Sequence, residues 1–207
     1  MVLTNKRFEE YSKVVCDKTI DVSEGERIAE KLIIELNNSK SGIGLAAPQI
    51  GITKSVCVIN VKEPKPIVLI NPEIVESNGE FIFKEGCLSY PKKAISVKRH
   101  AMIAVEADNL DEPLILDVRK GGNAADLLEI ACVQHEIDHL SGITMFDRKY
   151  VKPTYRAPKK YGRNEKVVII AKDSKSTKKI KYKKALPLIN SGDWSLLTYK
   201  GQRHIPQ

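Results

Sequence analysis

The stretch Gln134-His135-Glu136-Ile137-Asp138-His139-Leu140-Ser141-Gly142 decides how the rest of this 207-residue chain is read. His135 and His139 are four residues apart, so on a helix they stand one turn apart on one face and can grip a single metal ion. Glu136 sits beside the first of them, where a carboxylate can exchange protons with a metal-activated water. The residues upstream supply the helix. Gly121-Gly122-Asn123 marks a turn, with Asn123 as N-cap and Asp126 at the third helical position; Leu127, Leu128, Ile130, Ala131 and Val133 follow. Two histidines and a glutamate embedded in so apolar a helix are hard to explain by packing alone.

A metal centre that does chemistry wants a third protein ligand and an open position for water. Cys87, in Glu85-Gly86-Cys87-Leu88-Ser89, is the best candidate, in a tight Gly-Cys turn with Glu85 two residues before it; His100 and His204 have no ligand-like neighbours. A thiolate with two imidazoles suits Zn²⁺, Fe²⁺, Co²⁺ or Ni²⁺ and does not choose among them. Cys16, Cys57 and Cys132 form no C-x-x-C pair with each other or with Cys87 and are expected in the core, without a disulfide framework.

Further out, Ser41-Gly42-Ile43-Gly44-Leu45-Ala46-Ala47-Pro48-Gln49-Ile50-Gly51 offers a backbone that a ligand can approach closely. It fails as a phosphate loop, because no helix-opening Lys-Ser/Thr follows. It reads instead as a substrate-lining strand whose N–H groups and Gln49 amide face a carbonyl oxygen. Residues 23–39 read as a helix with a Ser23/Glu26 capping box and Ile28, Leu32 and Leu36 on its apolar face. Apolar runs predict strands at 55–61, 67–70, 81–83, 101–106 and 114–118. The fold class is α+β, with antiparallel strands packed around a central metal-binding helix and a small basic hairpin-like module at the C-terminus.

The net charge of +8 conceals a division. Residues 1–147 hold 17 Lys+Arg against 23 Asp+Glu, a net of −6; residues 148–207 hold 17 against 3, a net of +14. A catalytic domain over 1–148, a basic linker over 149–164 and a basic extension over 165–207 are expected. No apolar run approaches the roughly 20 residues of a membrane helix. The polar N-terminus has no signal-like apolar core, so a cytoplasmic protein is expected, or an organellar one after loss of a transit peptide.

Gly42-Ile43-Gly44-Leu45-Ala46-Ala47-Pro48-Gln49, Glu85-Gly86-Cys87-Leu88-Ser89 and Gln134-His135-Glu136-Ile137-Asp138-His139 together resemble the three signature motifs of peptide deformylases, in the family's order. The resemblance covers roughly residues 1–148 and has the bacterial and organellar form of the second motif. It implies removal of the formyl group from N-terminal formyl-methionine of new polypeptides. Cys87, His135 and His139 would hold Fe²⁺, with Zn²⁺, Ni²⁺ or Co²⁺ as substitutes. Glu136 would act as general base and acid, with Gln49 and the Leu88 N–H at the oxyanion. Ile43, Gly44, Leu45 and Gly86 would align the substrate backbone, and Arg99 would contact it. Phe83, Leu128, Ala131 and Cys132 would form the methionine pocket. Glu85 is expected to hold a neighbouring Arg or His, and Asp138 to orient helix side chains.

The resemblance stops at the basic tail, for which contact with the ribosome or its RNA competes with a merely solvated basic face. A monomer is expected. Two other readings stay open: an H-E-x-x-H peptidase, and an RNA-binding protein with a structural metal. The first leaves Cys87 and the Gly-Leu-Ala-Ala-Pro-Gln strand unexplained, and the second needs a fourth protein ligand that is not visible nearby.

Overall fold

The computed structural model describes residues 1–62, 65–151, 161–172 and 176–197, and the backbone of 203–204. The chain divides into two compact units, Met1–Lys152 and Pro153–Gln207.

The first unit begins with the short helix α1 (Lys6–Glu9), which buries Phe8. Helix α2 (Val22–Asn37) is capped two residues earlier than the Ser23/Glu26 pair predicts. Asp21 is the N-cap and accepts the Glu24 N–H at 2.7 Å, so Ser23 lies inside the first turn and accepts from Arg27 instead. Ile28, Leu32 and Leu36 are buried, as their spacing requires.

Strands β1 (Gly44–Ala46), β2 (Val56–Ile59) and β3 (Ile67–Ile70) form one antiparallel sheet in that order, with a 3-10 turn at Ala47–Ile50 after β1. Alternation explains why the middle strand is apolar throughout. Val56 and Val58 face the α2 side with Leu32 and Leu36, while Cys57 and Ile59 face the opposite core with Ile130 and Val133. Next come β4 (Glu73–Asn78), β5 (Phe81–Gly86), β6 (Ala94–Arg99), β7 (Met102–Glu106) and β8 (Leu114–Asp117). They make a hairpin, β5-β6, and a sheet ordered β4-β7-β8. Helix α3 (Ala124–Leu140) follows; Asn123 caps it and Asp126 returns the bond to the Asn123 N–H. From Glu129 to Leu140 every residue of α3 is buried, so the metal-binding helix is central to the unit. Cys16, Cys57 and Cys132 are buried and Cys87 is half-buried; none is in a disulfide.

In the second unit, β9 (Lys166–Ala171) and β10 (Thr177–Lys181) pair antiparallel. Residues 182–197 add more than the expected hairpin. They contribute helix α4 (Tyr182–Asn190) and strand β11 (Trp194–Leu197), and with β12 (Arg203–His204) the sheet is ordered β10-β9-β11-β12. Val167, Ile169, Ala185, Ile189 and Leu196 form its own core. Most of the basic stretch expected as a linker lies outside the described residues. No helix among the described residues is long and apolar enough to cross a membrane.

Candidate metal centre

Helix α3 presents His135 and His139 on one face, and Cys87 enters from the turn after β5, which the Tyr90 N–H closes onto the Cys87 carbonyl at 3.0 Å. Cys87 Sγ lies 3.4 Å from His139 Nε2, which lies 3.2 Å from His135 Nε2. The three donor atoms all fall within 4.8 Å of one another. Tetrahedral bonds of about 2.0–2.1 Å to nitrogen and 2.3 Å to sulfur make such edges roughly 3.3 Å (N to N) and 3.6 Å (S to N). The donor set therefore fits a transition-metal ion.

The imidazoles are held from behind. Glu85 Oε2 lies 2.9 Å from His135 Nδ1, so a proton on Nδ1 is donated to the carboxylate while Nε2 faces the other two donors. Phe8 packs edge-on against His139 with ring centroids 5.3 Å apart. Arg99, only 3% exposed, donates to both oxygens of Glu85 (2.6 and 2.9 Å) and to Asp138 (2.5 Å); Arg148 donates to both oxygens of Asp138. Burial pushes the Glu85 carboxyl up, but the Arg99 and His135 hydrogen bonds outweigh it and hold the group below its usual range. His139 is held well below its usual value by burial, reinforced by His135 and Arg99. A neutral His139 is ready to donate a lone pair.

Glu136 has the opposite environment. It is 3% exposed, its Oε2 has no hydrogen-bond partner among the described residues, and burial raises its carboxyl to about 7. Gly44 makes room for it: a Cβ there would stand 2.6 Å from Glu136 Oε1 and 2.5 Å from Cys132 Sγ. Gln49, in the 3-10 turn, accepts the Ala46 N–H at Oε1, which aims Nε2 at Ser89 Oγ (3.2 Å) and Cys87 Sγ (3.6 Å).

A cleft of about 400 Å³ opens onto His135 and Glu136. Of the residues singled out in the sequence, Ile43, Gly44, Gln49, Gly86, Cys87 and Leu88 line it. Phe83, Leu128, Ala131 and Cys132 line it as well. His139 is buried beneath. Leu45 and Arg99 are elsewhere. Neither is among the lining residues: the Leu45 side chain is fully buried in the α2 core, and Arg99 is locked between two carboxylates rather than facing the cleft. Asp138 likewise serves two arginines rather than its own helix. Sequence reasoning missed Lys84, Tyr90, Pro91, Lys92 and Lys93 in the cleft wall, and Ser89 as the anchor for Gln49. The signal for the first group was the adjacency of Pro91-Lys92-Lys93 to the Cys87 turn.

Fold and site define an α+β protein with a Cys-His-His metal-binding centre at the floor of a cleft. Residues 2–155 match the sequence profile of the polypeptide deformylase family, and the chain belongs to that family. A peptide deformylase of Pseudoalteromonas translucida is 36% identical over 151 residues, covering 72% of this chain and 85% of the relative. Among solved structures, the Thermotoga maritima peptide deformylase superposes with a TM-score of 0.60 at 27% identity, covering 73% of this chain and 97% of its own. A class I type b peptide deformylase of Acinetobacter baumannii, solved with Met-Ala-Ser bound, gives a TM-score of 0.59 at 26% identity, covering 72% and 96%.

Proposed function

We propose that this chain removes the formyl group from the N-terminal formyl-methionine of newly made polypeptides. One observation carries the reading: Cys87, His135 and His139 converge beside an unpartnered Glu136 oxygen at the floor of a partly apolar cleft. These three residues would hold one metal ion, which when bound supplies Lewis acidity and lowers the pKa of a water at its open position. Fe²⁺ is the proposed native ion; the same donors accommodate Zn²⁺, Ni²⁺ and Co²⁺.

The protein's own residues do the rest. Glu136 takes a proton and returns it to the leaving amine, a role suited to a buried carboxyl whose Oε2 has no partner among the described residues. The Gln49 Nε2 and the Leu88 N–H are the donors for the oxyanion that develops on the formyl oxygen. Phe83, Leu128, Ala131 and Cys132 receive the methionine side chain. Ile43, Gly44 and Gly86 offer main chain against which the peptide lies as an added strand.

The test is anaerobic turnover of formyl-Met-Ala-Ser by Fe²⁺-loaded protein, with Cys87→Ala as control. Formate release that the substitution abolishes is expected. Intact metal without formate release would overturn the reading in favour of a peptidase or a binding role.

For the second unit the reading is contact with ribosomal RNA. Val167 and Ile169 are buried with residues of α4, so Lys166 occupies the other face of β9; the β9-β10 register puts Lys181 opposite it and Lys179 opposite Val168. All three lysines are exposed and lack a carboxylate partner among the described residues. Like charges placed directly opposite oppose folding, unless an anion between them is the purpose. Binding to ribosomes that weakens steeply with salt, and weakens uniformly when these lysines become alanine, is expected.

A further inference from the structure

The mouth of the cleft carries a charge pattern that the chemistry on its floor does not require. Lys84, Lys92 and Lys93 line the opening and are exposed, whereas the two carboxylates of the wall, Glu85 and Glu136, are buried. Glu85 is already engaged by Arg99 and His135. Lys13, Lys18, Lys54, Lys62 and Lys98 of the same unit each have a carboxylate partner; among the described residues the three rim lysines, like Lys6, Lys31, Lys40, Lys65, Lys120 and Lys149, have none. In a region with a net charge of −6, the exposed charged residues at this opening are all lysines.

The lysines are also placed. Lys93 Nζ stands over the Tyr90 ring at 5.7 Å and the Phe146 ring at 5.3 Å. Lys92 holds a left-handed backbone (φ 64°), a conformation that non-glycine residues seldom adopt and that persists where the surroundings impose it. Lys84 projects from β5 two residues before Gly86.

We infer that this rim selects among substrates by charge, favouring polypeptides with Asp or Glu in the two residues that follow formyl-methionine. The inference rests on the deformylase reading. With the methionine side chain in the pocket, an extended peptide advances roughly 3.3 Å per residue, so its next side chains pass the mouth and meet the lysines. Exposed pairs of this kind are individually weak and screened by salt. Together they amount to about tenfold in kcat/KM at low ionic strength, expressed in KM, because the attraction acts equally on bound substrate and transition state.

The experiment uses the metal-loaded full chain and amidated peptides: formyl-Met-Asp-Asp-NH₂, formyl-Met-Ser-Ser-NH₂ and formyl-Met-Lys-Lys-NH₂, with formyl-Met-Ser-Ser-OH to isolate a terminal carboxylate. Calorimetric binding of Met-Asp-Asp-NH₂ and Met-Lys-Lys-NH₂ runs in parallel and does not depend on turnover. The expected order is Asp above Ser above Lys in both assays, collapsing toward equality at ~1 M salt. The order inverts in the Lys92→Glu/Lys93→Glu double variant, and Lys84→Glu alone, on a different element, narrows it. A binding order of Asp over Lys without turnover of any peptide would overturn the hydrolytic reading and keep the rim's charge selection. Equal handling of all peptides in both assays overturns the rim. So does a preference that follows only the terminal carboxylate.

Discussion

The two units handle charge in opposite ways. Around the metal centre, Glu85, Arg99 and Asp138 are buried and bonded to one another, with His135 at one end and Arg148 at the other. On the β9-β10 sheet, Lys166, Lys179 and Lys181 are exposed and unpaired among the described residues. Buried charge that is fully bonded fixes geometry, since each member is held by partners whose loss would strand it in a low dielectric. Exposed charge without a partner fixes nothing inside the molecule and stays available to a partner outside it.

Changes at the centre should therefore be severe, and changes on the sheet mild. The largest effect is expected for Glu136→Ala. It removes the proton carrier but no metal ligand, so turnover should fall by about 10²- to 10⁴-fold with metal content unchanged, as checked by formate assay and metal analysis. Retained turnover would remove Glu136 from the chemistry. Next comes Arg99→Leu, which leaves two buried carboxylates without their cation. A loss of about 3–5 kcal/mol is expected in urea melts; a loss below 1 kcal/mol would mean that Arg148 and His135 suffice.

The third prediction concerns acid. The folded Glu85 carboxyl lies below its ordinary value of 4.5. Its pairing therefore contributes stability that is complete above that value and is lost as pH falls through the depressed one. The thermal midpoint should drop below about pH 4.5, and more shallowly in Glu85→Gln; parallel slopes would place the acid sensitivity elsewhere. The smallest effect is expected for Lys181→Ala. It should change stability by no more than about 0.5 kcal/mol, with the sign toward stabilisation because Lys166 stands opposite. A large destabilisation would show that this lysine is part of a network within the fold.

The same contrast explains what could be read from the sequence. Helix α3 was legible because its signals are local: Asn123 and Asp126 at the cap, then the apolar spacing that carries both histidines. Strands β4 and β6 were not, since Glu73–Asn78 is mostly exposed and Ala94–Arg99 interleaves polar residues. Of the site, Cys87, His135, His139 and Glu136 could be named from motif spacing. Arg99 was misplaced against the substrate because its partners, Glu85 and Asp138, lie 14 and 39 residues away and only the β5-β6 pairing and α3 bring them together. Gln49 was legible as an amide near the chemistry, but not the Ala46 bond that aims it.

The burial of three of the four cysteines has a practical consequence. Burial raises the Cys16 thiol to about 11 and pushes Cys57 and Cys132 well above their usual range, so none of them presents much thiolate to an alkylating reagent. Cys87 alone is half-open, and its sulfur is the one a metal ion would occupy. The rate at which iodoacetamide labels the native protein is thus a direct gauge of how much of a preparation is metal-loaded. An oxidant that reaches the emptied site would meet one susceptible sulfur and convert the loss of metal into lasting inactivation.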